Sequence, residues 1–135
     1  MIRAVANTTV ILLSFFDGIA TAAHVLRELQ VDVPLFMAWE TDPDCHQVAA
    51  THFPDIWARG DIERDDLRDV YQEILKIDPE HKALVLITGG APCLDYTPIK
   101  DAPRGRNGKT GRYFDLMLDK VDQLKQQHPL RQDLV

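Results

Sequence analysis

The stretch from Ala83 to Cys93 limits what this chain can fold into more than any other. Ala83-Leu-Val-Leu-Ile87 carries no charge and reads as a buried strand. It runs into Gly89-Gly90, and Pro92 then stiffens the backbone just ahead of Cys93. Strand, glycine pair, proline and cysteine together set a thiol on a tight loop at the carboxyl end of a sheet strand. In open α/β sheets that end is where ligands bind.

A thiol held there is a candidate nucleophile, whereas a lone cysteine elsewhere is most often a small buried hydrophobe. The neighbours of Cys93 remove three rival chemistries. A thiol-redox site needs a second cysteine where Tyr96 stands. A phosphatase loop needs an arginine where Ile99 stands. A zinc site needs clustered ligands, and the only other cysteine is the distant Cys45. On residue type alone the nucleophile and the inert thiol both stay open.

Val10-Ile-Leu-Leu-Ser14 predicts the first strand and Ala22–Leu29 the helix after it, joined by Phe15-Phe16-Asp17-Gly18-Ile19-Ala20-Thr21. Asp17-Gly18 signals a tight turn, and the small residues beyond it would let a ligand sit close to the helix start. The dinucleotide fingerprint G-x-G-x-x-G is absent, which argues against a nicotinamide or flavin cofactor. Pro34–Trp39 predicts the second strand, which ends at Glu40. A carboxylate about 20 residues past the first turn can accept hydrogen bonds from ribose hydroxyls, and a solvated loop carboxylate is the plainer reading. Asp42-Pro43-Asp44 caps a helix from about Cys45 to His52, ended by Pro54. Ile56-Trp-Ala58 is a weak third strand leading to Gly60-Asp61-Ile62. Asp61 there either accepts from an adenine amino group or caps the next helix. Arg64 to Ile77 carries Leu67, Val70, Tyr71, Ile74 and Leu75 at helical spacing, with one buried face.

After Cys93, the segment Tyr96 to Arg112 gathers Lys100, Arg104, Arg106, Lys109 and Arg112 against Asp101 alone. That is either a phosphate-contacting loop or ordinary surface. Tyr113 to Gln126 predicts a last helix with Phe114, Met117, Leu118, Val121 and Leu124 facing the core, and Asp133-Leu-Val135 the start of a further strand. Strand and helix alternate throughout, which predicts an α/β fold: a parallel sheet with flanking helices and four loops opening at one edge.

At 135 residues the chain makes one domain with a real core. No apolar run is long enough to span a membrane, and Asp17 breaks the stretch that would otherwise pass for a signal peptide. Two cysteines without framework spacing predict a reducing compartment. A net charge of −6 excludes a polycation that binds nucleic acid through its overall charge.

These signals coincide in order and spacing. Phe16-Asp17-Gly18-Ile19-Ala20-Thr21, Glu40, Gly60-Asp61-Ile62 and Gly89-Gly90-Ala91-Pro92-Cys93 together resemble the DNA cytosine-5 methyltransferases. The de novo branch is the nearer likeness, through Cys93-Leu94-Asp95 and Lys109-Thr110-Gly111-Arg112-Tyr113-Phe114. The likeness spans about residues 9 to 135. It implies the Rossmann-like fold of methyltransferases that use S-adenosylmethionine. By the same likeness Phe16, Asp17, Gly18, Ile19 and Thr21 would hold the methionine end and the sulfonium. Glu40 would bind the ribose with Thr41 beside the adenine, Asp61 and Ile62 would contact adenine, and Gly90 would pass close to the cofactor. Cys93 would be the nucleophile. Its thiolate adds to carbon 6 of cytosine, carbon 5 takes the methyl group, and loss of the carbon 5 proton with expulsion of the cysteine restores the ring. DNA is the implied partner. Its target base must leave the duplex, at a cost of a few kcal/mol. Lys100, Arg104, Arg106, Lys109 and Arg112 would meet phosphates of the distorted strand.

The chain departs from that pattern in three places. Leu94 stands where the family usually carries a polar side chain. No glutamate is followed by asparagine, so the Glu-Asn-Val motif that holds and protonates the cytosine is missing. The Arg-x-Arg site has no counterpart, because Arg104-Gly105-Arg106 has the spelling in the wrong place. The expectation is therefore a partial catalytic domain over residues 1–135, broken after about the fourth strand and without a target-recognition region. Alone it should be inactive or nearly so, needing the missing half of the domain or a partner methyltransferase. A non-catalytic half-domain that binds the cofactor or such a partner is the alternative. The expected location is nuclear in a eukaryote, otherwise cytoplasmic, and not secreted.

Overall fold

The computed structural model describes residues 8–92 and 104–127. Cys93, Lys100 and the strand expected at Asp133–Val135 lie outside the described residues.

Strand β1 (Thr9–Phe15) is buried along almost its whole length, as an uncharged run must be when both its faces are covered. It pairs in parallel with β2 (Asp32–Trp39) on one side and with β4 (Leu84–Gly89) on the other. The short β3 (Trp57–Ala58) pairs in parallel with β2. The order across the sheet is β3-β2-β1-β4. The chain thus steps outward twice and then returns across β1 to lay down β4. Its change of direction falls between the carboxyl ends of β1 and β4, where such sheets part into a crevice.

Period-2 alternation sorts the side chains into two cores. Ile11, Leu13 and Phe15 of β1 meet Leu35, Met37 and Trp39 of β2 on one face. Val70 and Ile74 of α3 (Val70–Ile77) and Leu124 of α4 (Arg112–Gln127) cover that face. On the other face Leu12, Phe36 and Ala38 meet Ala23 of α1 (Thr21–Glu28) and Ala49 of α2 (Pro43–His52). Ile11, Leu12, Leu13 and Phe15 are each at most 1% exposed, and each such side chain contributes roughly 1.5–3 kcal/mol by leaving water. The expected α/β architecture is present, a Rossmann-like parallel sheet with helices on both faces. Among the described residues no helix is long and apolar enough to cross a membrane.

Two helices differ from expectation. The helix expected from Arg64 begins only at Val70. Three aspartates upstream offer the backbone rival partners: Asp61 accepts from Glu63 N at 2.9 Å, Asp65 from Leu67 N at 2.9 Å and Asp66 from Arg68 N at 3.1 Å. Such local bonds compete with the helical ladder. Leu67 is left-handed at φ 61, yet fully buried, so its apolar signal was real while its conformation is a turn. In α4, Phe114 and Leu118 were expected in the core but are 40% and 43% exposed. Leu116, Met117, Val121 and Leu124 pack inward instead. Lys120 joins that face, its Nζ donating to the Asp65 carbonyl at 2.6 Å while its stem lies buried.

Candidate functional site

The turn after β1 is the site's tightest piece. Phe16, Gly18 and Ala20 are left-handed, at φ 52, 64 and 66. For Phe16 and Ala20 this costs of order 1–3 kcal/mol each, so surrounding bonds must hold the turn. Asp17 N donates to Trp39 O at 3.2 Å, and Gly18 N donates to Glu40 Oε1 at 2.9 Å. Glu40 Oε2 accepts from Thr41 N at 2.8 Å and Asp42 N at 3.3 Å. The carboxylate at the end of β2 therefore ties its own loop to the β1 turn. A carboxylate has about four acceptor sites, so three amides leave room for a ligand hydroxyl.

The loop after β3 is braced separately. The Arg59 guanidinium lies 5.6 Å from the ring centres of both Trp39 and Trp57. It bonds Asp65 at 2.7 Å and Asp69 at 2.6 Å, and Trp39 Nε1 donates to Asp65 at 2.8 Å. The Asp69 carboxylate, with Asp65, holds Arg59 firmly protonated. Burial pushes the Asp65 carboxyl up, but donation from Arg59, Leu67 and Trp39 outweighs it and leaves Asp65 below the usual carboxylate range. Asp61 does cap its own loop, accepting from Glu63 N, and it also faces the crevice.

On the far side, Gly90 N donates to Phe15 O at 3.3 Å, which continues the β1–β4 ladder one residue past the strand. These loops enclose a crevice of about 600 Å³ at the switch point, within the range of roughly 300–1,000 Å³ typical of small-molecule sites. Of the residues expected to hold a cofactor, Phe16, Gly18, Glu40, Thr41, Asp61, Ile62 and Gly90 line it. Asp17, Ile19 and Thr21 do not. Ile19 and Thr21 are exposed beyond the turn. Asp17 is buried, and neither of its carboxylate oxygens has a hydrogen-bond partner. Burial raises its pKa; the nearby Ser14 hydroxyl takes back part of that rise and the Glu40 charge adds to it.

Trp39, Gly60, Pro92 and Tyr113 also line the crevice and were not expected there. Trp39 had a readable signal, since it ends β2 one residue before Glu40. Tyr113 had none, because only the tertiary fold brings the start of α4 to the β1 turn, where its ring meets Phe16 edge-on at 5.7 Å. Cys93, the expected nucleophile, is beyond the described residues; Pro92 before it is a crevice wall.

The basic segment is less free than its sequence implies. Arg104, Arg106, Lys109 and Arg112 are exposed. Arg106 pairs with Asp115 at 3.2 Å, and Arg112 pairs with Glu63 at 2.6 Å. A Cβ on Gly111 would run into the Gly105 carbonyl, so the coil before α4 closes only with glycine there. Among the described residues no group of three or more His, Cys, Asp or Glu is placed to hold a metal ion. No known protein-family model matches the chain.

The donor set suits a nucleoside-bearing ligand. Trp39, Ile62 and Tyr113 offer apolar surface for a flat ring, Glu40 offers a hydroxyl acceptor, and Gly90 leaves open space where any Cβ would stand.

Proposed function

We propose that this crevice binds S-adenosylmethionine and that the chain is the cofactor-binding part of a DNA cytosine-5 methyltransferase domain with Cys93 as its nucleophile. One observation carries the reading: residues separated by up to 74 positions, chosen for order and residue type, meet in one crevice at the sheet's switch point. When bound, that cofactor supplies a methyl group on a positively charged sulfur. Glu40 accepts from its ribose hydroxyls while keeping the β1 turn in place. Trp39, Ile62 and Tyr113 shield the adenine from water. Phe16, held left-handed, presents its ring to the crevice mouth. Pro92 limits how the chain leaves the crevice toward Cys93.

A second reading, a cofactor-binding module without turnover, is favoured by the ion pairs at Arg106 and Arg112, which engage two of the cations expected at DNA phosphates. Calorimetry with S-adenosylhomocysteine tests what both readings share. The chain should bind it, and Glu40→Ala should weaken binding at least about tenfold, roughly the loss of one charged hydrogen bond. Absent binding, or equal affinity in the variant, refutes the cofactor assignment. Methyl transfer to unmethylated DNA, measured on the same preparation, separates the enzyme from the silent module.

A further inference from the structure

Arg112 opens α4, and Glu63 follows Ile62 on the loop beyond β3. Arg112 Nη1 donates to Glu63 Oε1 at 2.6 Å and Nη2 donates to Oε2 at 3.1 Å, a two-pronged bond between residues 49 apart. Each partner adjoins a crevice residue, Ile62 beside Glu63 and Tyr113 beside Arg112. The Arg112 guanidinium also lies 4.6 Å over the Tyr113 ring. A cation in the first turn faces the unfavourable end of the helix dipole. Helix formation therefore does not explain Arg112, whereas Glu63 does. A forked guanidinium–carboxylate bond fixes the orientation of both groups as well as their distance. Both side chains are about half exposed, at 48% and 41%, so the bond can open without unfolding the core.

We propose that the Glu63–Arg112 pair is a clasp joining the β3-loop wall of the crevice to its α4 wall, and that it governs release of the ligand held between them. The ligand's identity rests on the cofactor reading above; the clasp does not. Arg112 is then a positioning residue for the crevice, its guanidinium spent on Glu63 and the Tyr113 ring.

The test compares the wild-type chain with Glu63→Ala, Arg112→Ala and the charge swap E63R/R112E. Two quantities are read: backbone hydrogen exchange over residues 60–64 and 112–117 without ligand, and the dissociation rate of S-adenosylhomocysteine. Each single variant should speed exchange in both segments and raise the dissociation rate about 5-fold, the upper range for an exposed pair. The swap should bring both back to within about 2-fold of wild type. About 1 M salt should loosen the wild type and leave Glu63→Ala unchanged. Wild-type exchange in both single variants, or a swap that recovers nothing, overturns the clasp. A wild-type chain that ignores S-adenosylhomocysteine sinks the cofactor reading instead, and the exchange data still decide the clasp.

Discussion

Gly89 and Gly90 are neighbours, yet alanine at each should have opposite consequences. A Cβ on Gly89 would overlap the Met117 sulfur and stand 3.7 Å from Phe15 Cβ. Met117 packs against the main core, and forcing a methyl into such packing costs about 1–3 kcal/mol. Alanine returns roughly 0.4–1 kcal/mol by narrowing the unfolded ensemble. Because the clash is with a flexible side chain, the lower half of the packing cost applies. The net is a loss of about 1 kcal/mol, or about 4 °C in Tm at this size. A Cβ on Gly90 meets no atom within 4 Å, and Gly90 is not left-handed, so only the entropy gain remains. Gly90→Ala should melt at or slightly above wild type. Gly90 nevertheless lines the crevice. A methyl competing there with ligand atoms at about 1.4 kcal/mol would weaken binding tenfold. Thermal unfolding and calorimetry with S-adenosylhomocysteine read both quantities on the same samples. The expected pattern is Gly89→Ala unstable but able to bind, and Gly90→Ala stable but weak. The reverse pattern, or wild-type binding by Gly90→Ala, refutes the placement of the cofactor against this backbone.

Two further perturbations probe the frame of the site. Asp65→Ala strands the Trp39 indole, the Leu67 amide and part of the Arg59 guanidinium, and should cost about 3 kcal/mol in urea unfolding; Asp69→Ala, at a partner that is 52% exposed, should cost less than about 1 kcal/mol, and an inverted order would refute the bracing role. Asp17 has its pKa raised by burial, so the folded chain keeps this proton longer than the unfolded one, and its contribution favours the fold in acid and is lost as pH rises through the folded value. Asp17→Asn should therefore be more stable than wild type at pH 7, by about 1 kcal/mol, with the gap shrinking as pH falls toward the ordinary value of 3.8; a gap that widens in acid would refute this.

The sheet was legible because its strands are uncharged runs bounded by turn residues, and a parallel arrangement brings every strand-end loop to one edge. That is why Phe16, Glu40, Ile62 and Gly90 could be grouped before any fold was known. What stayed hidden is pairing at a distance. Glu40 reads the same whether it waits for a ribose or already ties down Gly18, Thr41 and Asp42. Arg112 reads as a phosphate contact until Glu63 is found against it. The late start of α3 was hidden differently: Leu67 fits a helical face by spacing, and only three competing aspartate–amide bonds show that the backbone there turns.

The same hidden pairings bear on how the crevice works. Each wall is held by a bond that needs no ligand: the β1 turn by Glu40, the β3 loop by Arg59 with Asp65 and Asp69, and the α4 start by Glu63. Left-handed Phe16 and Ala20 carry strain that only such bracing sustains. A ligand entering a site already set in this way spends little of its binding energy on ordering loops. Affinity should then depend more on these framing carboxylates than on any single lining side chain. Asp65 provides the sharpest case: it is absent from the crevice lining, yet it holds both Trp39 and the loop that carries Asp61 and Ile62. Its loss should weaken ligand binding as well as stability, whereas Asp69→Ala, which leaves Asp65 in place, should spare both.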